Sequence, residues 1–157
     1  MTIEYMEKIH FVPLLAPIDT TTSAVFSAGT RVRNYRWCTF LVELGVCATI
    51  GTLTVYESTS AATTSAVTMP FWYRLADTVG VDALAASTSC ASTGVAYAAQ
   101  GTGTAYVIDV DPATMTDGYD YLRVCVTPAA GAGGATLVSV SALLEPRYPG
   151  KTPISSS

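Results

Sequence analysis

Charge is what this sequence has least of. Only 13% of its 157 residues are Asp, Glu, Lys or Arg, and 8 bases against 12 acids leave a net charge of -4. That rules out the massed cations by which a general nucleic-acid binder neutralises phosphates. A soluble monomer usually keeps about a quarter of its residues charged, so an exterior this poor in charge implies surface covered by a partner. Histidine is scarcer still, with His10 alone in the chain. Ser-His-Asp or Cys-His chemistry needs an imidazole held as base. His10 stands between Ile9 and Phe11 in a proline-broken apolar segment, the setting of a bystander. No catalytic residue is assigned, and the chain is read as a non-enzyme.

Other absences narrow the field further. The longest apolar stretch, residues 40–55, is interrupted by Glu43, two glycines and several threonines and falls short of the roughly 20 residues a membrane helix requires. No membrane partner is therefore expected. The opening residues 1–8 carry two acids and one base, the wrong layout for a secretory signal, so synthesis in the cytoplasm is expected. Cys38, Cys47, Cys90 and Cys125 form no C-x-x-C pair and have no histidine nearby; reduced, buried thiols are favoured over zinc or a disulfide framework. Gly101-Thr102-Gly103 is a lone G-x-G without strand-to-helix context. Neither a metal nor a cofactor is expected.

What the sequence does have is period-two alternation. Phe40, Val42 and Leu44 fall on one face and Thr39, Leu41 and Glu43 on the other; Leu53 and Val55 oppose Thr52, Thr54 and Tyr56. Both are strand patterns. The glycine-bounded connection 45–51 predicts that they pair as an antiparallel hairpin. Further strands are predicted over 67–74, 79–84, 94–98, 105–110, 121–127 and 137–144, about eight in all. Only 112–115 offers a helical turn, with Asp111 as cap and Pro112 in the first position. Many short strands and no amphipathic helix predict an all-β fold, an antiparallel β-sandwich of jelly-roll type. Residues 1–22 are read as an extended N-terminal arm, 23–146 as the sandwich and 147–157 as a proline- and serine-rich tail. If the arm is an interface, removing residues 1–18 should leave a folded domain.

A few groups are candidates for contact with a partner. Phe11, Val12, Leu14 and Leu15 make the arm apolar. Arg31 and Arg33 share a face and are suited to acidic groups, although a charged sheet edge that discourages strand pairing explains them as well. Alternation in Phe71-Trp72-Tyr73-Arg74 turns Trp72 and Arg74 away from Phe71 and Tyr73; Trp and Arg are typical interface anchors. Asp109, Asp111, Asp117 and Asp120 resemble hard-cation ligands but miss the EF-hand spacing, and capping and chain reversal account for them.

Several segments together resemble a family of small auxiliary virion proteins of tailed bacteriophages. They are IHFVPLLAPID at 9–19, CTFLVELGVCATIGTLTVYES at 38–58, SAVTMPFWYR at 65–74, YVIDVDPATMTDGYDYLRVCV at 106–126 and VSALLEPRYPG at 140–150. The resemblance implies a capsid decoration (cement) protein, a β-sandwich on the outside of the virion head. Its partners would be the lattice of the major capsid protein and further copies of itself, often as a homotrimer. The alternative is a tail or head-fibre component that binds a receptor or glycan, with Trp72 and Tyr73 in its pocket.

Overall fold

The computed structural model describes residues 8–20, 23–99, 103–129 and 136–147. The described residues form twelve strands and one short 3-10 turn. These are β1 (His10–Thr20), β2 (Val25–Phe26), β3 (Thr30–Arg31), β4 (Tyr35–Cys47), β5 (Gly51–Ser58), β6 (Val67–Met69), β7 (Phe71–Ala76), β8 (Thr88–Cys90), β9 (Val95–Tyr97), β10 (Thr104–Val110), β11 (Tyr121–Pro128) and β12 (Thr136–Pro146). Two antiparallel sheets result. The first runs β1-β12-β4-β10-β7-β8; the second runs β2-β11-β5-β6, with β3 also beside β11 and β9 beside β5. The protein is an all-β sandwich, as the alternation requires.

The apolar halves of the strands meet between the sheets. Cys38, Phe40, Val42 and Leu44 of β4 and Ile108 of β10 face Leu53 and Val55 of β5 and Leu122, Val124 and Val126 of β11, all at 2% exposure or less. Each such aliphatic side chain contributes on the order of 1.5–3 kcal/mol through burial, and the two inner faces interdigitate into one core. Where alternation breaks, the pairing breaks with it. On β4, Gly45 and Val46 lie between the inward Leu44 and Cys47, and the β12 register shifts between Thr136 and Val138, the signature of a bulge.

Three expectations need correction. The segment read as an arm is extended, but over His10–Thr20 it is an edge strand paired along β12 from His10 with Leu144 to Thr20 with Thr136. Its register slips around Leu14 and again between Leu15 and Ile18, as Pro13 and Pro17 within an edge strand allow. The expected hairpin does not form: β4 belongs to the first sheet and β5 to the second. Both strands carry one apolar face, and turning the corner at 48–50 lets these faces meet across the core instead of lying side by side. Gly51 opens β5 just past the corner, where a Cβ would collide with the ring of its partner Tyr97. Finally, residues 79–84 form no strand, and Val79, Val81 and Leu84 are 76, 54 and 50% exposed; β-branched content alone does not make a strand where no neighbour completes its hydrogen bonds. The predicted strand at 67–74 is real but divided. Pro70 separates β6 from β7, and the two halves join different sheets. Residues 1–7 of the arm and 148–157 of the tail lie outside the described residues.

Candidate interaction surface

The outer faces of the two sheets differ. On the second sheet, Arg123 points outward from β11 beside Tyr56 yet is only 2% exposed. The connection between β5 and β6 folds over it. The guanidinium donates to the carbonyls of Ser60, Ala61 and Ala62 at 3.3, 2.7 and 2.6 Å and to Ser58 Oγ at 3.4 Å. No carboxylate pairs with it among the described residues, and burial lowers its pKa. Gly29 lies against this clamp: a Cβ there would stand 2.9 Å from the guanidinium and 3.1 Å from the Ala61 carbonyl. Phe26 and Tyr56 stack edge to face at 5.4 Å on the same side. The second sheet is thus partly roofed by its own chain.

The first sheet's outer face stays open. Cross-strand pairing places Phe11, Leu143, Thr39, Asp109, Trp72 and Ser89 in one row over six strands. The next row carries Pro13, Ser141, Leu41, Val107 and Arg74. Trp37, opposite Glu145, completes the patch. Phe11, Trp37 and Trp72 keep 51, 37 and 52% of their surface exposed. Asp109 knits the face together, accepting from Thr39 Oγ1 at 2.6 Å and from Trp37 Nε1 at 3.4 Å. Both tryptophans of the chain therefore stand on one sheet face. Six strands spaced about 4.8 Å apart and averaging roughly eight residues in length make a sheet face of some 600 Å², the order of what one partner contributes to a stable interface.

Of the candidate residues, the fold brings Phe11, Trp72 and Arg74 to this face. Leu14 does not join them; it is 8% exposed within the core, and Val12 and Leu15 pack against that core. Arg31 and Arg33 share an internal acid, with Asp120 Oδ2 3.4 and 3.8 Å from them, while their side chains stay 40 and 67% exposed. They sit beside the second sheet, where β3 meets β11. Tyr73 turns inward against Phe71 and Tyr106, which removes it from any surface pocket with Trp72. Trp37 is the residue that sequence reasoning missed. Its signal was present: with Cys38, Phe40 and Val42 inward, alternation puts Trp37 outward with Thr39 and Leu41.

Several other polar groups have structural partners. His10 Nδ1 lies 3.0 Å from the Tyr35 hydroxyl, ring edge against ring face. Asp111 Oδ1 accepts from Ala113 N at 2.9 Å and caps the 3-10 turn Pro112–Thr114, while Gly118, at φ +85°, reverses the chain. Glu57, 4% exposed, accepts from the Thr116 amide at 2.8 Å and from its hydroxyl, tying this crossover to β5. All four cysteines are free and buried. Burial pushes the Cys38 thiol far above its usual range, and the Asp109 charge adds to it. Among the described residues, no three of His, Cys, Asp and Glu converge as metal ligands. No family model matches the chain, and no curated protein gives a significant match.

Proposed function

We propose that this chain is a non-enzymatic structural protein of a bacteriophage virion, a capsid decoration protein that docks through the open face of its first sheet. The observation that carries the reading is that face itself. One sandwich face is roofed by the chain's own β5–β6 connection, while the other leaves Phe11, Trp37 and Trp72 in solvent across a plane of interface size. Flat aromatic surface rimmed by Arg74 and Glu145 has the composition of a docking patch. The sequence resemblance supplies the class of partner, the major capsid lattice on the head surface, and the homotrimeric state belongs to the same proposal.

The test is stoichiometry and fluorescence together. Quantitative mass spectrometry of purified particles should give a copy number near that of the shell protein, or a simple fraction of it. Because both tryptophans sit on the docking face, adding empty shells should shift their emission to the blue. Trp72→Ala and Trp37→Ala should each weaken shell co-sedimentation, and one such hot-spot truncation typically costs about 2 kcal/mol or more. A handful of copies per particle would assign the chain to a tail or fibre; its absence from particles would overturn the virion reading.

A further inference from the structure

At the end of the same sheet face remote from Trp37, the surface is hollowed into a groove of about 490 Å³. Small residues make its floor: Ala76 of β7 pairs with Ala105 of β10, and Gly45 lies on β4 two positions beyond Glu43, the residue opposite Ala105. Its flanks are apolar and unusually bare, with Val79 76% and Val81 54% exposed on the β7–β8 excursion and Leu137 48% exposed on β12. Among the described residues, Glu43 is the one charged side chain in the lining. Its carboxylate accepts a single hydrogen bond, from Ser139 Oγ at 3.0 Å, and its other oxygen, Oε1, has no hydrogen bond or ion pair among the described residues. Asp19, Asp77 and Asp82 lie exposed on the strand and loop around it, so the potential over the groove is negative. Arg74 stands one row further along β7 and two strands from Glu43, and no ion pair joins the two among the described residues.

We infer that this groove binds an extended peptide segment in which a lysine or arginine, set between aliphatic residues, pairs with Glu43. An apolar channel lets alternate side chains of an extended chain sink between Val79 and Leu137, and the lone carboxylate fixes its register through a charge-assisted bond. An anionic or purely polar segment would leave Glu43 facing like charge or an unmatched apolar wall. The inference rests on the docking reading only for the source of the segment, an extended piece of a shell subunit; the chemistry of the groove stands without it.

A randomised heptapeptide library panned on the folded chain tests the groove without shells. Selected peptides should carry Lys or Arg flanked by Val, Leu or Ile. The same library panned on Glu43→Lys should instead enrich Asp or Glu. Against the best selected peptide, Glu43→Gln should weaken binding roughly fivefold, the upper range for an exposed ion pair. Ala105→Phe, which fills the floor from the sheet surface, should abolish binding while leaving the circular dichroism of the sandwich unchanged. Enrichment without a basic residue, no inversion with Glu43→Lys, or equal binding to Ala105→Phe would each overturn the inference. Shell co-sedimentation separates the two ideas. An unaltered chain that binds shells but selects no such peptide sinks the groove alone, whereas selective peptide binding by a chain that ignores shells sinks the docking reading and leaves the groove standing.

Discussion

At the residue scale, neighbouring positions in one strand have opposite fates. Phe71 is 3% exposed and Trp72 52%, although both are large aromatics. Phe71→Ala should cost about 3–5 kcal/mol because it opens a cavity between packed sheets. Trp72→Ala should cost clearly less, about 1–2 kcal/mol, since half of its surface is already in solvent and no closed cavity is left behind. Urea unfolding of the two variants measures the contrast. Arg123 offers a different kind of case, a buried cation whose Nη2 donates to carbonyls instead of a carboxylate while its Nε keeps no partner among the described residues. Arg123→Met should lose about 1–3 kcal/mol, because three carbonyls of the roof lose their donor. Hydrogen exchange should then accelerate at residues 60–66, and Gly29→Ala should reproduce part of this by pushing on the same guanidinium. Equal exchange in wild type and Arg123→Met would mean that the clamp does not hold the roof.

At the scale of elements, β1 alters what truncation should do. Leu14 is in the core, its carbonyl accepts from the Ala28 amide at 2.9 Å, and Thr20 Oγ1 donates to the Thr136 carbonyl at 3.0 Å. Removing residues 1–18 should therefore destabilise the sandwich by several kcal/mol and lay bare the unpaired edge of β12, an invitation to aggregation. Thermal unfolding with light scattering decides it: an unchanged midpoint would restore the view of this segment as an independent arm. The strands themselves were legible because alternation is local. Their partners were not. Nothing in residues 45–51 distinguishes a hairpin that stays in one sheet from a corner that changes sheets, since either needs glycine and a short polar turn. The β7–β8 excursion misled for a related reason, as Val79, Val81 and Leu84 have strand composition without a strand beside them.

At the scale of the whole molecule, the buried thiols and phenols set a pH limit. Burial raises Cys38, Cys47, Cys90 and Cys125 above their ordinary 9.0, and Tyr97 and Tyr106 above 10.0. In the unfolded chain these groups lose their protons at the ordinary values, while in the folded state they keep them. The unfolded state then binds fewer protons, so stability is fully present below pH 9 and falls as pH rises above it. The urea midpoint should be lower at about pH 10.5 than at about pH 8, and thiol reagents should label the chain only as it unfolds. A flat profile across that interval would mean that the thiols are not shielded in solution.

The same scale separates what each level of description decides. The class of fold, the shared faces of Phe40 with Val42 and of Leu53 with Val55, the opposition of Phe71 to Trp72 and the capping role of Asp111 are legible in the residue order alone, because each depends on a period of two or on residues a few positions apart. It takes the packed sheets to show that Phe11, Trp37, Trp72 and Arg74 share one open face, that Arg31 and Arg33 stand beside Asp120, and that Gly45, Ala76 and Ala105 floor a groove beside Glu43. Those juxtapositions join strands up to about a hundred residues apart in the chain, and which strands become neighbours is chosen by how two sheets bury their apolar faces against each other, a choice no local pattern encodes.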